Sequence, residues 1–297
     1  MACFSLIPLG NTEMKIFMQT LGKDKSTSAS KSQKRNVPKT KTTKSDHQLQ
    51  GPAGTLHIDD GGKGETPIVF VHSFGGSTEH WKNQLNHVRE HYRAIAFDFR
   101  GHGQSERPHE LKYAAQDLAQ DIAAVVDDLH LDHFILVGHS MGGHAAVAYA
   151  GQHPERIAGL LLSGTPGKTP AEISKPVTAA LASPAYPKVM DDYIRQLLTD
   201  SRPDVARTVT KDFNAIPKDE TISIINGLLE FDPLPSLAKY KGPLLLVVSG
   251  AESKQPGTLQ SQLPNADVKV IDHAGHWTHL DQPEAFNRIL DAFIAGT

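Results

Sequence analysis

With 297 residues, 39% of them hydrophobic, the chain is long enough for one large α/β domain or two ordinary ones around a sizeable core. No apolar run approaches the roughly 20 residues that cross a bilayer, and the single cysteine, Cys3, excludes an internal disulfide framework. A reducing compartment is therefore allowed, and the cytoplasm is the expected location. The net charge of −3 hides a basic N-terminal stretch. The remainder is correspondingly acidic, which argues against nucleic acid as the main partner of the body.

Lys23 to Lys44 reads KDKSTSASKSQKRNVPKTKTTK, lysine, serine and threonine with almost no apolar residue. Such a segment cannot bury enough surface to offset its ordering entropy. Residues 1–50 are accordingly expected to be a disordered basic tail, and its composition names no partner. Met1–Gly10 lacks a charged n-region and its apolar stretch is short, so no secretory signal is expected.

From Thr55 onward strands alternate with helices. Apolar β-rich runs fall at Ile68–Val71, Ala94–Phe97, Phe134–Val137, Ile157–Leu162, Leu244–Val248 and Val268–Ile271. Thr78–His91 carries Trp81, Leu85 and Val88 at helical spacing, and Tyr113–Leu129 carries Leu118, Ile122, Val125 and Leu129. This alternation predicts a mostly parallel sheet with helices on both faces. Between Thr165 and Ser236 the rhythm breaks into helices punctuated by prolines, which predicts a helical cap over residues 165–236.

Gly138-His139-Ser140-Met141-Gly142-Gly143 lies between the apolar run Phe134–Val137 and a small-residue stretch. It reads as strand, sharp turn and helix with a serine at the apex, the context that the G-x-S-x-G nucleophile motif requires. A serine hydroxyl is a poor nucleophile unless an imidazole accepts its proton. His276, which follows the last predicted strand, is the candidate among 16 histidines. His139, His72 and His102 are expected to be structural.

Three further segments accompany the elbow in order: Val71-His72-Ser73-Phe74-Gly75-Gly76-Ser77, Asp98-Phe99-Arg100-Gly101-His102-Gly103-Gln104-Ser105, and Ala274-Gly275-His276-Trp277. With these four segments, the chain from about Thr55 to Ile294 resembles the α/β-hydrolase superfamily, in its lid-bearing group of serine esterases and related small-molecule hydrolases. The resemblance implies an α/β-hydrolase fold, no cofactor or metal, a small-molecule substrate, and oxyanion donors at the N–H groups of Met141 and Phe74. It also implies an acid a few residues beyond the Leu244–Val248 strand. The commonest family pattern places aspartate where Ser253 stands, but Glu252, one residue earlier, is the nearest carboxylate. Glutamate's longer arm can absorb that shift, so Glu252 is nominated, with a weak dyad or an acid such as Asp232 left open.

The family commonly has His-Gly where this chain has His72-Ser73, which puts Ser73 either in packing or against substrate. Trp277, Met190, Phe213, Phe231 and Leu228 are further candidates for an apolar pocket. Aspartate is the nucleophile of the haloalkane dehalogenases and epoxide hydrolases of this fold, and Ser140 argues against both. Hydrolysis of a small, partly apolar ester, thioester or amide through an acyl-enzyme is the expected function. Hydrolysis of an activated carbon–carbon bond and a scaffold that has lost efficient catalysis are the alternatives. A reading of another class comes from His87-Val88-Arg89-Glu90-His91, which matches the inverted zinc-protease signature if both histidines share a helix face.

Overall fold

The computed structural model describes residues 44–297, and the expectations for Cys3 and for the tail up to residue 43 lie outside the described residues. Eight strands form one sheet: β1 (Lys44–Gly51), β2 (Gly54–Gly61), β3 (Ile68–Val71), β4 (Ala94–Phe97), β5 (Phe134–His139), β6 (Ile157–Ser163), β7 (Leu244–Ser249) and β8 (Asp267–Ile271). Their spatial order is β1-β2-β4-β3-β5-β6-β7-β8. The six strands from β3 to β8 are parallel, while β1 and β2 pair antiparallel at one edge.

The assignment of residues 1–50 to a disordered tail is corrected at its C-terminal end. Lys44 is the first residue of β1, whose eight residues pair with β2 from Lys44↔Gly61 to Gly51↔Gly54. Backbone hydrogen bonds make this strand and are blind to side-chain type, so composition could not reveal it. A faint alternation is present, with His47 and Leu49 half-buried between exposed Asp46, Gln48 and Gln50.

Successive residues of each central strand enter opposite cores, as the pleat requires. Val69 and Val71 of β3 join Ile95, Phe97, Leu136 and Leu162 on one face. Ile68 and Phe70 join Ala94, Ile135, Val137 and Val247 on the other. The first face is covered by α2 (Ala115–Asp128) and α3 (Met141–Ala150), through Leu118, Ile122, Val125 and the buried alanines of α3. The second is covered by α1 (Lys82–Val88), preceded by a 3-10 turn at Thr78–Trp81, and by the C-terminal helix.

Between β6 and β7 run five helices: α4 (Ala171–Leu181), α5 (Tyr186–Leu197), α6 (Pro203–Asn214), α7 (Lys218–Glu230) and α8 (Leu234–Leu237). After β7 come α9 (Leu259–Gln262), α10 (Thr278–Asp281) and α11 (Pro283–Ala295). The inserted helices hold the loops that follow three parallel strands. Glu220 of α7 accepts hydrogen bonds from Tyr113 Oη (2.9 Å) and Arg107 (3.3 Å) beyond β4. Asp212 of α6 binds His80 beyond β3 (3.0 Å), and the Leu197 carbonyl at the end of α5 accepts from the N–H of His276 beyond β8 (3.0 Å). Among the described residues no helix is long and apolar enough to cross a membrane.

Glycine sets how closely α3 approaches β3. A Cβ on Gly142 would fall 2.4 Å from the His72 carbonyl oxygen and 2.6 Å from that of Val71, both fixed backbone atoms. Gly142→Ala should cost about 1–3 kcal/mol in urea unfolding, the usual scale of overpacking. Gly296→Ala, where the nearest atoms lie at 3.6 Å, serves as the control and should be near neutral. Equal midpoints for the two variants would refute the close approach.

Candidate active site

The chain reverses at Ser140 with φ 51° and ψ −112°, a left-handed backbone at a non-glycine residue. Such a conformation costs about 1–3 kcal/mol and persists only where its surroundings impose it. Here they do. A Cβ at Gly138 would lie 2.8 Å from the Gly142 carbonyl oxygen and from Gly143 Cα, so strand and helix meet with no space between them. The Ser140 N–H donates to the Ser163 carbonyl at the end of β6 (2.9 Å). Met141 opens α3, and the first amides of a helix have no intrahelical acceptor.

His276 is buried, and its Nδ1–H donates to Glu252 Oε1 at 2.6 Å. That bond leaves the lone pair of Nε2 to accept a proton. Glu252 is itself held: Oε2 accepts from the Ser249 N–H (3.0 Å), and its own N–H donates to Ser249 Oγ (3.2 Å). Glu252 starts a short 3-10 turn directly after β7, and this turn brings the carboxylate one residue earlier in sequence against the imidazole. Ser253, where the common pattern has an acid, turns its hydroxyl to the Gly250 carbonyl (2.9 Å). Asp232 lies elsewhere, paired with Lys168 (2.9 Å) and accepting from the N–H of Leu234 (3.1 Å).

Phe74 sits in a tight turn closed by Gly76 N–H to the Ser73 carbonyl (2.9 Å), with Gly75 at φ 70°. His72 fixes this turn. Its Nε2 accepts from the Phe99 N–H (3.0 Å), so the proton is on Nδ1, which donates to the Ser73 carbonyl (2.7 Å). Asp98 ties the same segment to the next loop by accepting from the Thr78 N–H (2.6 Å) and the Gln104 N–H (2.8 Å). His102 donates to the Arg100 carbonyl (3.0 Å), and His139 donates through Nε2 to the His276 carbonyl (3.1 Å).

The pocket candidates separate. Ser73 and Trp277 are taken up with each other rather than offered to a cavity. Trp277 is fully buried and its Nε1–H donates to Ser73 Oγ (3.1 Å), which in turn donates to the Phe74 carbonyl (3.3 Å). Phe231 packs edge-on against His144, with ring centroids 5.0 Å apart, and Leu228 is half-buried against the core. Met190 and Phe213 line a cavity of about 640 Å³ among the inserted helices. The zinc reading of His87 and His91 is overturned, because α1 ends at Val88 and the two side chains never share a helix face. His87 binds Asp291 of α11 (2.8 Å), and among the described residues no group of three or more His, Cys, Asp or Glu is gathered to hold a metal ion.

Sequence reasoning missed Asp281. Its carboxylate accepts from the Gly275 N–H (2.9 Å), Ser201 Oγ (3.0 Å) and the Arg202 N–H (2.8 Å), which fastens the His276 loop to the α5–α6 connection. The only signal was an acid a few residues after the histidine, and nothing in the pattern marks that acid as an acceptor for backbone.

The description "Alpha/beta hydrolase family" belongs to a family model that matches residues 68–289. This chain belongs to the α/β-hydrolase family. A 2-hydroxymuconate semialdehyde hydrolase of Pseudomonas putida is 30% identical to it over 80% of this chain and 90% of that protein. A putative carbamate hydrolase of Caulobacter segnis is 27% identical over 78% of this chain and 92% of that protein. Among solved structures, an esterase from Exiguobacterium antarcticum superimposes with a TM-score of 0.73 at 22% identity, covering 84% and 98% of the two chains. These matches establish the protein as a hydrolase.

Around its site this α/β-hydrolase buries His72, His102, His139, His144 and His279. Burial disfavours their charged forms and pushes all five pKa values down, those of His102 and His144 to about 4. An unfolded chain protonates these rings near the ordinary histidine value of about 6.5, so it binds more protons than the folded one below that pH. Stability is therefore full above about pH 6.5 and is lost as pH falls toward 4. Buried Asp98, Asp121 and Asp281, pushed up by the same desolvation, act in the opposite sense. His102 and His144 should each take away about 2 kcal/mol between pH 7.5 and pH 5. His144→Gln, which keeps a donor for the Pro166 carbonyl, should shrink the urea-measured pH difference by about that amount; an unchanged difference would count against it.

Proposed function

We propose that this hydrolase cleaves small, partly apolar carboxylic esters through an acyl-enzyme on Ser140. The observation that carries the reading is the 2.6 Å bond from His276 Nδ1 to Glu252, which orients the ring and leaves Nε2 as the base. Nε2 takes the Ser140 proton as Oγ attacks the ester carbonyl carbon. The carbonyl oxygen becomes an oxyanion, held by the N–H groups of Phe74 and Met141; each such donor contributes roughly 3 kcal/mol in the transition state. Glu252 stabilises the imidazolium, which then gives its proton to the departing alcohol. Water repeats the sequence to release the acid and free Ser140.

Esters are favoured over amides because their leaving group needs the least assistance. Supporting them are the solved esterases of the same fold, including those of Exiguobacterium antarcticum and Thermogutta terrifontis, which are alike in fold alone at 22% identity. A second reading, hydrolysis of an activated carbon–carbon bond, is favoured by the 30% identity to 2-hydroxymuconate semialdehyde hydrolase and would use the same serine.

A p-nitrophenyl ester panel from acetate to decanoate, run beside fluorophosphonate labelling, tests the reading. Wild type should turn the esters over and Ser140→Ala should lose both turnover and label. Glu252→Gln should lower kcat by on the order of 10³–10⁴. Equal turnover by wild type and Glu252→Gln would remove Glu252 as the acid. A labelled Ser140 without ester turnover would favour the carbon–carbon reading, and no label at all would remove Ser140 as the nucleophile.

A further inference from the structure

Ser140 and His276 are only 5% and 4% exposed, so the side chains packed around them shape the approach of a substrate. Phe213 of α6 belongs to that wall. Its ring packs on Phe74 with centroids 4.5 Å apart and on Trp277 at 5.8 Å. A Cβ on Gly75 would fall 2.6 Å from the same ring, so the oxyanion turn is glycine where the phenyl group presses on it.

Phe213 also lines the 640 Å³ cavity among α5, α6 and α7, together with Tyr186, Met190, Ile194, Leu198 and Ile216. One side chain thus belongs both to the wall of the reacting centre and to the wall of an apolar chamber beside it. The charges at this chamber are already engaged. Arg195 is paired with Asp191, and the Lys218 ammonium lies 4.8 Å over the Tyr186 ring. Apart from Thr210, Asn214 and Thr221, what remains for a ligand is aliphatic and aromatic surface, more than half of the lining residues, which suits an uncharged hydrocarbon chain.

The residue before Phe213 fixes its position. Asp212 Oδ2 accepts from His80 Nε2 at 3.0 Å, and His80 is buried in the 3-10 turn that follows the oxyanion turn. The end of α6 is thereby tied to the same segment that carries Phe74.

We propose that Phe213, held in place by the Asp212–His80 pair, is the gate between the reacting centre and the chamber, and that the chamber receives the apolar acyl chain of the substrate. The proposal rests on the reading of Ser140 as an acylated nucleophile and adds to it the chemical class of the acyl group and the residue that selects it.

Fluorophosphonates carrying a methyl or an octyl group on phosphorus test it, because the alkyl group stands where the acyl chain would. The measured quantity is the ratio of the octyl to the methyl labelling rate at Ser140. Phe213→Ala should raise this ratio about tenfold, and Ile216→Trp, which fills the chamber, should lower it about tenfold, the scale set by a few buried methylenes. Asp212→Asn should raise it in the direction of Phe213→Ala. General loss of packing cannot move the two main variants in opposite directions. Ratios within about twofold of wild type in both would overturn the gate while leaving the serine reading standing. Absence of any adduct on wild type with either reagent would remove the serine reading and the gate with it.

Discussion

The site depends on the contact between the start of α3 and the end of β3. Because Gly142 has no side chain, helix and strand meet backbone to backbone, and because Gly138 has none, the chain can turn from β5 into α3 without an intervening loop. Ser140 is the residue left to absorb the reversal, at φ 51°. Strain at this position is maintained by the burial of the whole of α3, every residue of which lies inside the protein. The serine is therefore presented rigidly at the head of α3.

Around that fixed point, other loops are set by hydrogen bonds that cross between elements. His72 and Asp98 join the turn after β3 to the loop after β4, and Glu252 joins the turn after β7 to the histidine after β8. Asp281 then joins the histidine loop to the inserted helices. His72, Asp98 and Asp281 are buried polar groups, and Glu252 is half-buried; for a buried group a missing partner would cost about 1–3 kcal/mol. Fold stability and site geometry are in this sense one network. The inserted helices belong to it through Asp212, Glu220 and the Leu197 carbonyl, so movement of the insertion and arrangement of the loops are mechanically linked.

Legibility followed the kind of force involved. The parallel strands β3 to β7 announced themselves because both their faces are buried and their residues are almost continuously apolar, whereas β8, at the edge, is largely exposed and carries Lys269 between its valines. β2 was harder to find, since only Leu56 and Ile58 mark it, and β1 was hidden because, apart from half-buried Leu49, its backbone pairing is what recruits it. α1 was read too long. Its apolar spacing continues to Val88, but the chain leaves the helix there and His91 falls outside it. In the site, Ser140 and His276 stood out by motif, whereas the bonding of Ser73 to Trp277 across 204 positions had no local trace.

The sequence by itself determined the layered sheet, the serine elbow and the order in which serine, acid candidate and histidine occur. These follow from periodicity, from glycine spacing and from short motifs, all of which are local. Only the tertiary structure decided that Glu252 rather than Asp232 meets His276, that Asp281 secures the histidine loop, and that Phe213 closes against Phe74. Those relations join residues from 6 to 139 positions apart, over a few ångströms that side-chain reach and loop conformation set together. Neighbouring residues carry no record of such distances, because the energy that fixes them comes from packing the whole chain.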